Sequence, residues 1–302
     1  MNKTFIISLY SLLLVALIGC IDYQHKGAGS DIPTKGSLEM SFDINDSFAV
    51  TQMIDQFEID YPQADIKPRF LNYQSMMSGM QTGEITAAFL HRSFTSEEQK
   101  VLEKNKIKLR TVKLFYSSSA FITNKASNQD SFTVDDLLIW CSGESNLPFQ
   151  KLAIIGPHGG RIYEILDSMM KVKKLKFNRS LVLKQSPQEI INEVKNNNGV
   201  MGVVGVNWLA DRAESQALAN KKAVKILAIK KDLKHGAAYP FQSQIADKSY
   251  PFIETVWGYD LQGYSGLASG FLSYVCAQSA QIMIKKSGLY PAIPPQRTIE
   301  IQ

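Results

Sequence analysis

From Leu38 onward, short apolar runs of strand length alternate with longer stretches whose apolar residues recur at helical spacing. Leu38 to Phe42 reads as a strand. Asp43-Ile44-Asn45-Asp46-Ser47 is a loop of helix-capping residue types, after which Phe48, Val50, Met53, Ile54 and Phe57 share one helical face until Tyr61-Pro62 ends it. A strand at Asp65–Leu71, a helix at Tyr73–Thr82 closed by Gly83, and a buried strand at Ile85–Leu90 follow. Thr95-Ser96-Glu97-Glu98 has the form of a capping box. Leu109 to Ile122 is extended, Thr133 caps a helix to Trp140, and Leu152–Ile155 is a strand leading through Gly156-Pro157-His158-Gly159-Gly160 into a helix from Arg161 to Lys171. Ser186-Pro187 opens a helix through Lys195, Val200–Val206 is a strand, and a lysine-rich helix and turn lead to Val224–Ile229. Phe271 to Lys286 reads as one helix, stopped by Gly288 and Pro291. This alternation predicts an α/β architecture with a parallel sheet.

The first twenty residues follow another pattern. Lys3 precedes an apolar run from Phe5 to Ile18, which ends in Gly19-Cys20. That is the layout of a signal peptide over residues 1–19, and a small residue before a cysteine suits lipoprotein processing, with Cys20 as the acylated residue. The alternatives are an uncleaved anchor or a secretion signal with an incidental cysteine. The run is about 14 residues, short of the roughly 20 needed to span a bilayer. Residues 20–36 lack periodicity and read as a flexible tether. The expected location is therefore the cell envelope, lipid-anchored and facing the periplasm or exterior.

After removal of the signal, about 280 residues remain, enough for two lobes of about 100–150 residues. The net charge of +5 is spread over scattered lysines, which argues against nucleic-acid binding and is compatible with anionic ligands or lipid heads. With Cys20 assigned to the lipid, Cys141 and Cys276 both fall in apolar stretches and read as buried free thiols in preference to a disulfide. The four histidines, His25, His91, His158 and His235, have no metal-ligand spacing. No phosphate-loop Gly-Lys-Ser/Thr follows Gly263–Gly270, and no nucleophile elbow or catalytically placed carboxylate pair is present. The reading is a protein without cofactor that is not an enzyme.

Four pieces of the chain resemble the substrate-binding lipoproteins of phosphate ABC transporters. They are Phe57 with Tyr61-Pro62 behind Asp43–Phe48; Leu90-His91-Arg92-Ser93-Phe94-Thr95-Ser96-Glu97-Glu98; Asn198-Gly199-Val200-Met201-Gly202-Val203-Val204-Gly205-Val206-Asn207-Trp208; and Phe271–Gln281 with Gly288-Leu289-Tyr290-Pro291. The ending Arg297-Thr298-Ile299-Glu300-Ile301 also fits. The resemblance implies a bilobed, periplasmic-binding-protein-like (type II) clamp, each lobe a sheet flanked by helices. The chain would cross between lobes near residues 115 and 246, giving lobe I as 37–114 plus 247–302 and lobe II as 115–246. It further implies a monomer that captures phosphate or a similar oxyanion, hands it to an ABC permease and meets the membrane through its lipid.

An oxyanion needs hydrogen-bond donors, and helix N-termini supply them. The candidate ligand-binding residues are Asp46, Ser47 and Phe48 at one helix start, Ser75 at a second, Arg92, and Gly159, Gly160 and Arg161 at a third. Each has a plainer reading: Ser47 as an N-cap, Arg92 as an ion-pair partner, His91 and His158 as surface or packing residues. Arg161 opposes the helix dipole unless an anion lies nearby. The chain also departs from the resembled pattern. His158-Gly159-Gly160-Arg161 lacks the hydroxyls usual there, Thr86 stands where an aspartate is expected, and His91 where a threonine or serine is common. A clamp of the same fold with an altered site, acting as a sensor or partner-binding lipoprotein, is the alternative.

Overall fold

The computed structural model describes residues 31–104, 108–156 and 160–295. β1 (Lys35–Asp43) and β2 (Gln63–Leu71) pair in parallel along their full length. Parallel neighbours need a crossover, and α1 (Ser47–Asp60) supplies it, burying Ala49, Val50, Met53, Ile54 and Phe57. α2 (Tyr73–Thr82) is capped by Asn72 and ends at Gly83 with φ of 78°. β3 (Ala87–Leu90) and α3 (Ser96–Lys104) follow. The expected capping box forms: the Thr95 N–H donates to Glu98 Oε2 at 2.8 Å and the Glu98 N–H to Thr95 Oγ1 at 3.3 Å.

β4 (Arg110–Asn124) joins the two halves of the molecule. Its first part pairs antiparallel with β11 (Ile253–Asp260) and β12 (Tyr290–Pro291). Its end pairs with β8 (Val200–Gly205) and β9 (Val224–Ile226). β8 is followed in parallel by β6 (Lys151–Ile155) and β7 (Ser180–Lys184). The resulting path is β2-β1-β3-β11-β4-β8-β6-β7, with β5 (Ser131–Thr133) and β10 (Ala228–Lys230) paired apart. Helices α4 (Val134–Cys141), α5 (Gly160–Val172), α6 (Pro187–Asn196), α7 (Asn207–Ala210), α8 (Ser215–Ala223), α9 (Gln242–Ala246), α10 (Leu267–Cys276) and α11 (Gln278–Lys286) complete the described elements.

The fold is a bilobed α/β clamp. Lobe I packs around Phe42, Phe57, Phe89, Phe115 and Phe271, with the Met76, Met80 and Phe94 group beside it. Lobe II packs on both faces of its sheet, around Phe121, Trp140 and Leu166 on one side and Ile122, Ile190 and Val194 on the other.

Three expectations are corrected. The single helix over Phe271–Lys286 is two, starting earlier at Leu267 and bent by 69°. Ala277 between them is extended, and the buried Gln281 amide donates to Val275 O at 2.7 Å and Leu114 O at 3.0 Å, satisfying a carbonyl freed by the break. Residues 31–36, assigned to the tether, belong to the fold. Asp31 accepts from Tyr264 Oη at 2.7 Å and from the Leu267 N–H at 2.8 Å, and Pro33 lies so close to α10 that a Cβ on Gly270 would sit 1.8 Å from its carbonyl oxygen. Cys141 and Cys276 are both free, but only Cys141 is fully buried. The signal region and Cys20 lie outside the described residues. Among the described residues, no single helix is long and apolar enough to cross a membrane.

Candidate functional site

The carboxyl ends of β1, β6 and β8 converge between the lobes, where open α/β sheets place their ligands. They enclose a cavity of about 30 Å³. Asp43, Asn45, Asn72, Tyr73 and His91 come from lobe I, and Ser117–Ser119 and Glu254 from the connecting strands; Ile155, Arg161, Ile162 and Val203–Gly205 come from lobe II.

The loop after β1 builds one wall. Asp43 caps a 3₁₀ turn at Ile44–Asp46, its Oδ1 accepting from the Asn45 N–H at 2.9 Å and Asn45 Nδ2 at 3.0 Å. This aims Asn45 Oδ1 across the cleft at the Gly205 N–H, 3.0 Å away. Only a residue without a side chain tolerates that approach, because a Cβ on Gly205 would lie 2.8 Å from the Asn45 carbonyl. Next to this bridge Phe48 stacks on Trp208 at 4.2 Å, and Gln52 Nε2 donates to Asp211 and Glu214 at 3.0 and 3.1 Å.

His91 lies at the centre of a buried charged network. Its Nε2 is 2.6 Å from Asp46 Oδ2 and its Nδ1 is 3.5 Å from Glu254 Oε2. Ser119 Oγ donates to Glu254 Oε1 at 2.9 Å. Arg161 Nη1 donates to Glu164 at 3.1 Å, and its Nε is 3.7 Å from Glu254 Oε2. Burial by itself would push the His91 pKa down, but the charge and hydrogen bond of Asp46, with Glu254 close on the other side, outweigh it and hold the pKa well above the ordinary histidine value. Burial pushes Glu254 up, and His91 and Arg161 more than reverse it, leaving its pKa below the usual value. Asp43 is raised, with burial the main cause. His91 is thus an imidazolium between two carboxylates. Asp46 Oδ1, Glu254 Oε2 and Arg161 Nε are buried without hydrogen-bond partners, and Glu254 and Arg161 line the cavity, which so has a spare acceptor and a spare donor at its wall.

Of the residues expected from sequence, Arg161 lines the cavity and Asp46 stands behind it, paired with His91. The anion that offsets Arg161 at its helix start is the chain's own Glu164 and Glu254. Gly160 opens α5, and Gly159 lies outside the described residues. Ser47 gives its N–H to the Ile44 carbonyl, and Phe48 packs on Trp208. Ser75 is exposed with its N–H on the Asn72 cap, and Asn72 and Tyr73 take its place at the cavity. Arg92 makes two bonds to Glu98, at 2.7 and 2.6 Å, and both it and Arg161 lie against Tyr73, their guanidiniums 5.5 and 5.8 Å from the ring centre. Its plainer reading as an ion-pair partner holds. Asp43, Asn45, Glu254 and Ser117–Ser119 line the cavity without being among the residues expected from sequence, and His91, expected as a packing or surface residue, lies in the network. The loop and the unusual histidine were visible signals; Glu254 had none, because only the antiparallel pairing of β11 with β4 sets it beside Ser119.

The PBP superfamily domain matches residues 33–279, and the chain belongs to that superfamily. No curated protein matches it. It is similar in structure to a Clostridium perfringens protein described as a phosphate ABC transporter substrate-binding protein, solved with bound phosphate (TM-score 0.68, 13% identity, covering 85% of this chain and 100% of that one). It is similar also to an ABC-type phosphate transport receptor from Vibrio cholerae (0.61, 14%, 85% and 100%). The regulatory domain of CcmR from Synechocystis, in complex with 2-PG, shares the fold too (0.53, 11%, 80% and 96%).

Proposed function

We propose that this chain is an extracytoplasmic solute-binding lipoprotein, acylated at Cys20, that closes lobe I (37–114 and 247–302) on lobe II (115–246) around a phosphate-type oxyanion. It then presents the ligand unchanged to an ABC permease and works as a monomer. The observation that carries this reading is the buried pairing, at the cavity wall, of one unsatisfied donor, Arg161 Nε, with one unsatisfied carboxylate oxygen, Glu254 Oε2. A protonated oxyanion supplies both counterparts: an oxygen that accepts from the guanidinium and a hydroxyl that donates to a carboxylate. A fully ionised anion such as sulfate supplies only acceptors and meets the carboxylates as a like charge. The N-termini of α2 and α5 add oriented N–H groups. Closure follows only if the ligand bonds better across the closed cleft than across the open one.

The test is thermal unfolding of residues 30–302 with phosphate, arsenate or sulfate. A ligand at a hundred times its dissociation constant stabilises by about 2.7 kcal/mol. Stabilisation by phosphate and arsenate, absent with sulfate and reduced by about half or more in Arg161→Gln, is the expected result. One observation favours the second reading, a sensor or partner-binding lipoprotein: His91 and Arg161 already face the chain's own carboxylates, and Asn45–Gly205 and Phe48–Trp208 already bridge the lobes. No stabilisation by any of the three anions would select that reading.

A further inference from the structure

The cavity between the lobes admits a tetrahedral oxyanion whole, and most hydrogen-bonding groups around it are already committed to the chain itself. Asn45 Nδ2 donates to Asp43 Oδ1, and Asn45 Oδ1 accepts from the Gly205 N–H. Ser118 Oγ donates to the Pro240 carbonyl at 2.9 Å, and Ser119 Oγ to Glu254 Oε1 at 2.9 Å. His91 Nε2 is taken by Asp46. Among the described residues, two carboxylate oxygens of the lining side chains are left without a hydrogen bond: Glu254 Oε2 and Asp43 Oδ2, the latter because both bonds from Asn45 go to Oδ1. Arg161 Nε is left as the charged donor. Ser117, directly across the β4–β11 pairing from Glu254, adds a hydroxyl that no described residue engages.

An ionised carboxylate only accepts hydrogen bonds. Each of the two spare carboxylate oxygens therefore meets a ligand oxygen favourably only with a proton between them. A tetrahedral oxyanion with two hydroxyls meets both, and its two bare oxygens remain for Arg161 and Ser117. The charges point the same way. Asp43 faces His91, Asp46 and Glu254. Three carboxylates thus surround two cations, His91 and Arg161, and Arg161 is shared with Glu164. A site that is already negative repels a dianion more than a monoanion. Burial also pushes the Asp43 carboxyl up, which favours a proton at that oxygen.

Resting on the oxyanion reading, we infer that the site takes its ligand in the singly charged, doubly protonated form, such as dihydrogen phosphate, and that Asp43 sets this specificity. One ligand hydroxyl donates to Glu254 and the other to Asp43. Where phosphate is a dianion in solution, binding takes up one proton from the solvent, and that proton lies between Asp43 Oδ2 and the ligand oxygen.

Isothermal titration of the detergent-solubilised full chain with inorganic phosphate, at pH 5.5 and pH 8.5 and in buffers of different ionisation enthalpy, counts that proton. Uptake should be about one proton per phosphate at pH 8.5 and close to none at pH 5.5, and affinity should fall in the alkaline range by up to about tenfold per pH unit, the slope of a single proton. Asp43→Asn keeps an oxygen for Asn45 and offers the ligand an amide N–H in place of the carboxylate. It should abolish the uptake and shrink the fall between the two pH values to less than about threefold. If that variant does not fold, the proton count of the unmodified chain decides alone. Affinity that holds or rises with pH, without proton uptake, overturns the inference and leaves the oxyanion reading standing. Uptake that persists in Asp43→Asn also overturns it, since the proton then goes elsewhere. If phosphate binds at neither pH, the oxyanion reading itself falls, and this inference with it.

Discussion

On the lobe I side of the cleft, Asp43, Asn45, Asp46 and His91 are held by one another and by Glu254 from the connecting strand. On the lobe II side, one charged group, Arg161, stands among Ile155, Ile162, Val203 and Val204, with the Gly205 N–H as a further donor. The acidic side is therefore assembled within lobe I and the hinge, whereas its cationic complement arrives from across the cleft. The lobe I side is thus a preassembled half, and Arg161 is the charged side chain that meets it from the other side of the cleft.

Removing the centre of the preassembled half should have the largest effect. His91→Ala leaves Asp46 and Glu254 buried without their cation and should destabilise by about 3–5 kcal/mol, read from urea unfolding at pH 7. A loss below about 1 kcal/mol would mean the network is wet and weak. The pH dependence sharpens this. The folded His91 pKa lies above the ordinary 6.5, so its contribution is complete below that pH and disappears as pH rises through the folded value. Glu254 is depressed from 4.5, so its contribution is present above that pH and is lost as pH falls through its folded value. The stability of the unmodified chain should fall as pH rises from neutral into the alkaline range, and His91→Gln should flatten that fall. Equal slopes would show that His91 is not charged in the fold.

The cross-cleft contact comes next. Gly205→Ala forces a Cβ against the Asn45 carbonyl and should cost about 1–3 kcal/mol. It should also widen the molecule in small-angle scattering. An unchanged radius would show that the lobes do not depend on this approach.

The smallest expected effect separates the two arginines that flank Tyr73. Arg92→Gln loses a partly exposed ion pair worth about 1 kcal/mol or less and should leave ligand affinity unchanged. Arg161→Gln should lower affinity by about tenfold or more, the loss of one charge-assisted bond. Equal losses in titration would merge the two roles.

Much of this was legible along the chain. Periodicity located α1 through four of its five buried positions, Val50, Met53, Ile54 and Phe57, Thr95-Glu98 and Thr133-Asp136 announced their caps, and Gly83 marked an end, because these signals act between residues a few positions apart. The motif resemblance anticipated the clamp fold. The break at Ala277 was hidden, since the apolar spacing continues through it and the compensating bonds come from Gln281 to β4 and to the end of α10.

The sequence by itself determined the elements, the α/β class and the helix start that carries Arg161, all of which follow from local spacing and capping chemistry. Only the tertiary structure decided that His91 is a buried imidazolium and that Glu254, 163 positions beyond it, belongs to the same site. Burial and electrostatic pairing depend on which strands lie side by side, and β11 reaches its place between β3 and β4 only after the chain has built lobe II and returned.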